Sequence, residues 1–190
     1  MCGIAGLVLR TPDPRRVALL EGLSRALAHR GPDDRGYLFW GREGPVASRD
    51  PVPVEGFRLG FAHRRLSILD LSEAGWQPMS SPDGRLHVVY NGEVYNFLEL
   101  REALEARGHA FRSALDTEVL LAAWREWGEG SLTRLVGMFA FALLDAEEGV
   151  LYLVRDFSAS SPFTTLSFPK ASPSLPRSPL SSPSQGWGGA

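Results

Sequence analysis

The sequence predicts an α+β layered fold over residues 2–156, and three observations carry that expectation. Strand-like and helical segments follow one another without the regular βαβ alternation that a parallel sheet requires. The helical segments stop at glycine, a residue suited to the position just past a helix end. The composition, 44% hydrophobic and 22% charged over 190 residues, suits one ordinary globular domain.

Each element can be read in turn. Gly3 to Leu9 is a short apolar run of strand type. Val17 to His29 places Val17, Leu20, Leu23 and Leu27 near helical spacing, and Gly31-Pro32 ends it. Leu59 to Ala62 and Leu66 to Leu71 read as buried strand or extended segments. Leu86 to Tyr90 and Glu93 to Tyr95 flank Asn91-Gly92, a strong hairpin signal. Leu98 to Arg107 is helical and ends at Gly108, and Thr117 to Trp127 is helical and ends at Gly128. Met138 to Leu144 and Val150 to Val154 read as strands joined by the polar turn at 145–149.

Residues 157–190 differ in kind. From Ser158 to Ala190 there are ten serines, six prolines and no acidic residue, the composition of a disordered tail. The chain's net charge of −2 gives no reason to expect nucleic acid or an anionic membrane as partner. No run approaches the roughly 20 apolar residues that span a bilayer. The N-terminus lacks the charged and apolar regions of a secretory signal, so a cytoplasmic location is expected. The single cysteine, Cys2, excludes an internal disulfide and argues against a cysteine metal cluster. His63, His87 and His109 show no metal-ligand spacing, and no metal is expected.

Position makes Cys2 a candidate nucleophile. Removal of Met1 would leave a thiol and a free α-amine on one residue. An α-amine with a reference pKa of about 7.7–8.0 can act as general base near neutral pH. The thiolate is a strong nucleophile, so a single residue would supply both halves of a nucleophile–base pair.

The companion motifs are Met1-Cys2-Gly3-Ile4-Ala5-Gly6, His29-Arg30-Gly31-Pro32-Asp33-Asp34 and His63-Arg64-Arg65-Leu66-Ser67-Ile68-Leu69-Asp70. They continue with Gln77-Pro78-Met79, Tyr90-Asn91-Gly92-Glu93-Val94-Tyr95-Asn96, Asp116-Thr117-Glu118 and Gly137-Met138-Phe139-Ala140-Phe141. In this order and spacing the chain resembles the class II, N-terminal-nucleophile glutamine amidotransferases, and the asparagine synthetase branch most closely.

The resemblance implies the four-layer αββα sandwich of N-terminal-nucleophile hydrolases, with Cys2 at the end of a central strand. It implies glutamine as substrate and Cys2 as nucleophile. The Asn91 side chain and the Gly92 N–H would form the oxyanion hole, donors that a tetrahedral intermediate needs. Arg65 would hold the substrate α-carboxylate, for which a guanidinium fork is suited. Asp116, with Glu93 as a second candidate, would accept the α-ammonium, and the backbone of Leu66, Ser67, Ile68 and Leu69 would line the pocket. His29 is read as part of a loop shaping the site, since the family's base is the α-amine. No cofactor is implied for this chain; ATP and magnesium belong to a synthetase domain, the implied partner, which these residues do not encode.

The same family supplies a reading of the tail. Permissible codons from Asp156 onward, read from the third base, encode Leu-Phe-Gly-Val-Lys-Pro-Leu-Tyr-Tyr, the family's continuation. Residues 157–190 are therefore expected to be a frame-shifted continuation of a longer amidotransferase. Two other readings share these residues: the glutaminase half of a different amidotransferase, and a catalytically idle fragment.

Overall fold

The computed structural model describes residues 2–67 and 73–156. Two antiparallel sheets face each other. In the first, β1 (Gly3–Val8), β4 (Leu59–Arg65), β2 (Asp34–Gly41) and β3 (Gly44–Ser48) lie in the order β1-β4-β2-β3. In the second, β5 (Met79–Ser80), β6 (Leu86–Val94), β7 (Gly137–Asp145) and β8 (Val150–Arg155) lie in chain order. Helix α1 (Val17–Ala26) covers the outer face of the first sheet, while α2 (Phe97–Glu105) and α3 (Asp116–Trp127) cover that of the second.

Side chains alternate between the faces of a strand, and three buried clusters record that alternation. Val17 and Leu20 of α1 pack on Leu7, Tyr37, Phe39 and Ala62. Leu38, Leu59 and Phe61 of the first sheet meet Val89, Ala142 and Leu144 of the second. Val88, Tyr90, Phe139, Phe141 and Leu143 face Leu100 and Leu104 of α2 and Leu120 and Trp124 of α3. These are the three interfaces of an αββα sandwich, the architecture expected from the resemblance. A strand buried on both faces is apolar at successive positions, which is why β7 reads as an unbroken run from Phe139 to Leu144.

Several elements differ from the sequence expectation. Asn91-Gly92 is not a turn: β6 runs unbroken from Leu86 to Val94, paired along its length with β7. A nine-residue partner strand outweighs a two-residue turn preference. Gly92 is demanded by close approach instead, because a Cβ there would overlap Met138 O and the Phe139 backbone. The hairpin of β2 and β3 has no counterpart in the periodicity reading, since Tyr37-Leu38-Phe39-Trp40 is apolar on both faces. Gly44, at φ 104°, closes it. Strand β1 is the outermost of its sheet among the described residues, not a central one. Leu66 and Ser67 lie beyond the end of β4, while 68–71 and the tail 157–190 fall outside the described residues. The turn at 145–149 forms as expected, with Asp145 accepting the Glu147 and Glu148 N–H groups at 3.1 and 3.0 Å.

Candidate active site

Strand alternation brings the chemistry together at one end of the gap between the sheets. Ile4 packs into the inter-sheet cluster, so Cys2, two residues earlier, starts on the same face. Leu66 N–H donates to Cys2 Sγ at 3.5 Å. Arg30 Nε donates to Cys2 O at 3.2 Å, which brings the loop after α1 against the candidate nucleophile. His29 does not join it: the exposed imidazole Nδ1 sits 2.9 Å from the O of Ala26, the last residue of α1.

The neighbouring arginines part company for the same reason. Arg64 lies on the outer face and donates to Ser24 O and Oγ at 3.1 and 3.0 Å. Arg65 lies on the inter-sheet face with His63, and is only 8% exposed. Its guanidinium fills the space a Cβ on Gly75 would take. An arginine this buried is not a solvated surface charge. Ser67 N–H donates to Asp33 Oδ2 at 2.7 Å, which fixes the chain as it leaves β4. Ile68 and Leu69 lie outside the described residues.

The facing strand, β6, contributes through its open edge. Strand β5 pairs only with His87 and Val88, so among the described residues β6 has no strand neighbour on that side from Val89 onward. Phe139 spends its N–H and C=O on Asp156, at 2.5 and 3.0 Å. In an antiparallel ladder this makes Gly92 and Phe139 a non-hydrogen-bonded pair. The Gly92 N–H therefore points away from β7, toward the open edge. The residues of the same parity show what that edge holds. Tyr90 N–H donates to Gln77 Oε1 at 2.6 Å, and Val94 N–H to Asp116 Oδ2 at 3.1 Å. The His63 imidazole crosses from β4 to Tyr90 O at 3.2 Å, fixing how the two sheets meet. Asn91, two residues past Val89, presents its side chain to the first sheet, as does Glu93.

Asp116 is the first residue of α3 and does not cap it. Its carboxylate turns to β6, accepting from the Tyr90 hydroxyl at 2.6 Å as well as from Val94. Motif reading singled out neither Gln77, Tyr90 nor His63 as site groups. Gln77 and His63 hydrogen-bond to the edge of β6 and the Tyr90 hydroxyl to Asp116, contacts that become visible only once strand pairing is known. Among the described residues, no three His, Cys, Asp or Glu side chains converge as a metal site.

This arrangement matches a known domain. The glutamine amidotransferase domain family fits residues 1–171 of the 190. The chain belongs to that family. It is 38% identical over 159 residues to asparagine synthetase [glutamine-hydrolyzing] 1 of Bacillus subtilis, covering 82% of this chain and 22% of the relative. It is 36% identical over 166 residues to asparagine synthetase [glutamine-hydrolyzing] 3 of the same organism, covering 86% and 24%. The chain thus spans between a fifth and a quarter of these relatives. A solved glutamine phosphoribosylpyrophosphate amidotransferase from B. subtilis superposes with a TM-score of 0.61 over 77% of this chain and 35% of its own, at 22% identity. That likeness establishes the N-terminal-nucleophile fold. Among the described residues no helix of this amidotransferase domain is long and apolar enough to cross a membrane.

Proposed function

We propose that this chain hydrolyses glutamine to glutamate and ammonia with Cys2 as nucleophile, as the ammonia-supplying part of an asparagine synthetase. The observation that carries the reading is the opposition of Cys2 and Arg65 on one sheet to Asn91 and the outward Gly92 N–H on the other. In this reading the Cys2 α-amine takes the thiol proton, and the thiolate attacks the carboxamide carbon. The C=O π pair moves onto oxygen, where Asn91 and Gly92 donate to it. Collapse of the tetrahedral intermediate expels ammonia, protonated by the α-ammonium, and leaves a γ-glutamyl thioester that water hydrolyses. Arg65 holds the α-carboxylate, and Asp116 with Glu93 holds the α-ammonium. The Leu66, Ser67, Ile68 and Leu69 backbone lines the pocket.

The step needs no ATP and no magnesium; both would serve a separate synthetase domain, where ammonia meets its acceptor. Similarity to asparagine synthetases supports aspartate chemistry as the destination. Residues 2–156 are read as the glutaminase domain and 157–190 as a frame-shifted continuation, which the DNA around codon 156 tests directly. A cytoplasmic location without a nucleic-acid or membrane partner fits the charge and hydropathy pattern.

The deciding experiment pairs intact mass with a glutaminase assay. Protein that has lost Met1 should release ammonia from glutamine, and protein retaining Met1 or carrying an N-terminal tag should not. An active enzyme that keeps Met1 would exclude the α-amine as base.

A further inference from the structure

All three polar groups of Tyr90 are engaged: its N–H with Gln77, its C=O with His63 and its hydroxyl with Asp116. The ring is buried, 3% exposed, among the side chains between the second sheet and its helices. Burial and the adjacent Asp116 carboxylate push its hydroxyl far above the ordinary tyrosine range, so it remains a donor at any physiological pH. It immediately precedes Asn91 and Gly92. One residue thus joins the oxyanion end of the site to the carboxylate at the N-terminus of α3.

The distribution of bonds on Asp116 is uneven. Oδ2 receives both the Tyr90 hydroxyl and the Val94 N–H, at 2.6 and 3.1 Å. Oδ1 receives, among the described residues, only a long approach from the Thr117 hydroxyl at 3.5 Å. Both Oδ2 donors are neutral, so they fix the carboxylate's rotation without cancelling its charge. A carboxylate held by one oxygen keeps its other oxygen available for a cation.

We propose that Tyr90 is a positioning residue for α-ammonium recognition: with Val94 N–H it locks Oδ2 of Asp116, so that Oδ1 takes the substrate's α-ammonium group. The inference rests on the reading of Asp116 as ammonium acceptor given above. Asp116 gains its orientation from β6, the strand that carries the oxyanion donors. The spacing between ammonium and carboxamide sites is therefore set by bonds from one strand, β6.

Tyr90→Phe removes one oxygen and keeps the ring in its packing. It should raise KM for glutamine about tenfold, the effect of losing a hydrogen bond to a charged group, with kcat within about twofold. KM for glutaramic acid, which is glutamine without its α-amino group, should not change. In the Asp116→Asn background, adding Tyr90→Phe should have little further effect, since its target is already gone. Calorimetry of glutamine binding to Cys2→Ala, with and without Tyr90→Phe, gives the same comparison free of turnover, and should show about tenfold weaker binding. An equal KM rise for both substrates, a fall in kcat alone, or additivity with Asp116→Asn would overturn the proposal. If Cys2→Ala binds no glutamine at all, the glutaminase reading itself fails. If it binds glutamine unaffected by Tyr90→Phe, that reading stands and only this one falls.

Discussion

The gap between the two sheets has two ends that obey the same geometry and do opposite things. At one end Leu38, Leu59, Phe61, Val89, Ala142 and Leu144 interdigitate as dry core. At the other, the same inward positions of the same strands carry Cys2, His63, Arg65, Asn91 and Glu93. The alternation that hides Phe61 puts His63 and Arg65 two and four residues further along the same face. Apolar inward residues make the two sheets one body, and polar inward residues are retained where that body needs to hold a substrate. The apolar end fixes sheet spacing, and the polar end inherits it.

That division can be tested by crossing the two ends. Cys2→Ala should abolish glutamine hydrolysis while leaving the unfolding midpoint near that of the parent, because the thiol makes only weak bonds with Leu66. Phe61→Ala, at a position 2% exposed, should destabilise by about 3–5 kcal/mol through the cavity it leaves. Its folded fraction should keep kcat close to that of the parent. A Phe61 variant of full stability, or a Cys2 variant that unfolds early, would mean that the two ends are not separable. A smaller effect divides the polar end itself. Asn91→Ala should lower kcat by about 10²–10³ with little change in KM, because its donor matters in the transition state. Arg65→Lys should instead raise KM, because the bidentate fork is lost. One shared kinetic signature for both variants would refute the separation into oxyanion and carboxylate roles.

The two ends were unequally legible in the sequence. Cys2, Arg65, Asn91 and Asp116 stand in motifs, and the helices from Val17 and Leu98 followed from spacing and glycine stops. The β2–β3 hairpin was hidden because a strand buried on both faces loses its alternation. Asn91-Gly92 read as a hairpin turn because local preference cannot see the distant partners, Ala140 and Phe139 of β7, that force it straight. The choice between Arg64 and Arg65 is a matter of strand parity, and parity depends on where β4 starts. Gln77 and His63 act through backbone groups of β6 and Tyr90 through its hydroxyl on Asp116, and no motif encodes such partners.

His63 offers the finest test, because it lies at the seam between the two ends. It is 1% exposed, and its pKa falls to about 4 from an ordinary value of 6.5. Burial is the main cause and the charge of Arg65 adds to it, while the bond to Tyr90 O and the charge of Asp34 oppose the shift. A carbonyl only accepts, so Nε2 carries the proton in that bond and the ring is neutral. Between pH 6.5 and about 4 the unfolded chain binds a proton that the folded chain refuses. Stability from this residue is therefore complete above 6.5 and is lost as pH falls toward 4, on the order of 3 kcal/mol over the whole interval. His87, also lowered mainly by burial, acts in the same direction, so the wild-type profile alone does not isolate His63. His63→Gln keeps a donor for Tyr90 O but does not titrate. Urea midpoints from pH 7.5 to 4.5 should fall less steeply for His63→Gln than for the parent, with the difference confined to the range below 6.5. Parallel profiles would show that the imidazole is not held neutral at the seam, and that the inter-sheet gap is wetter there than its burial implies.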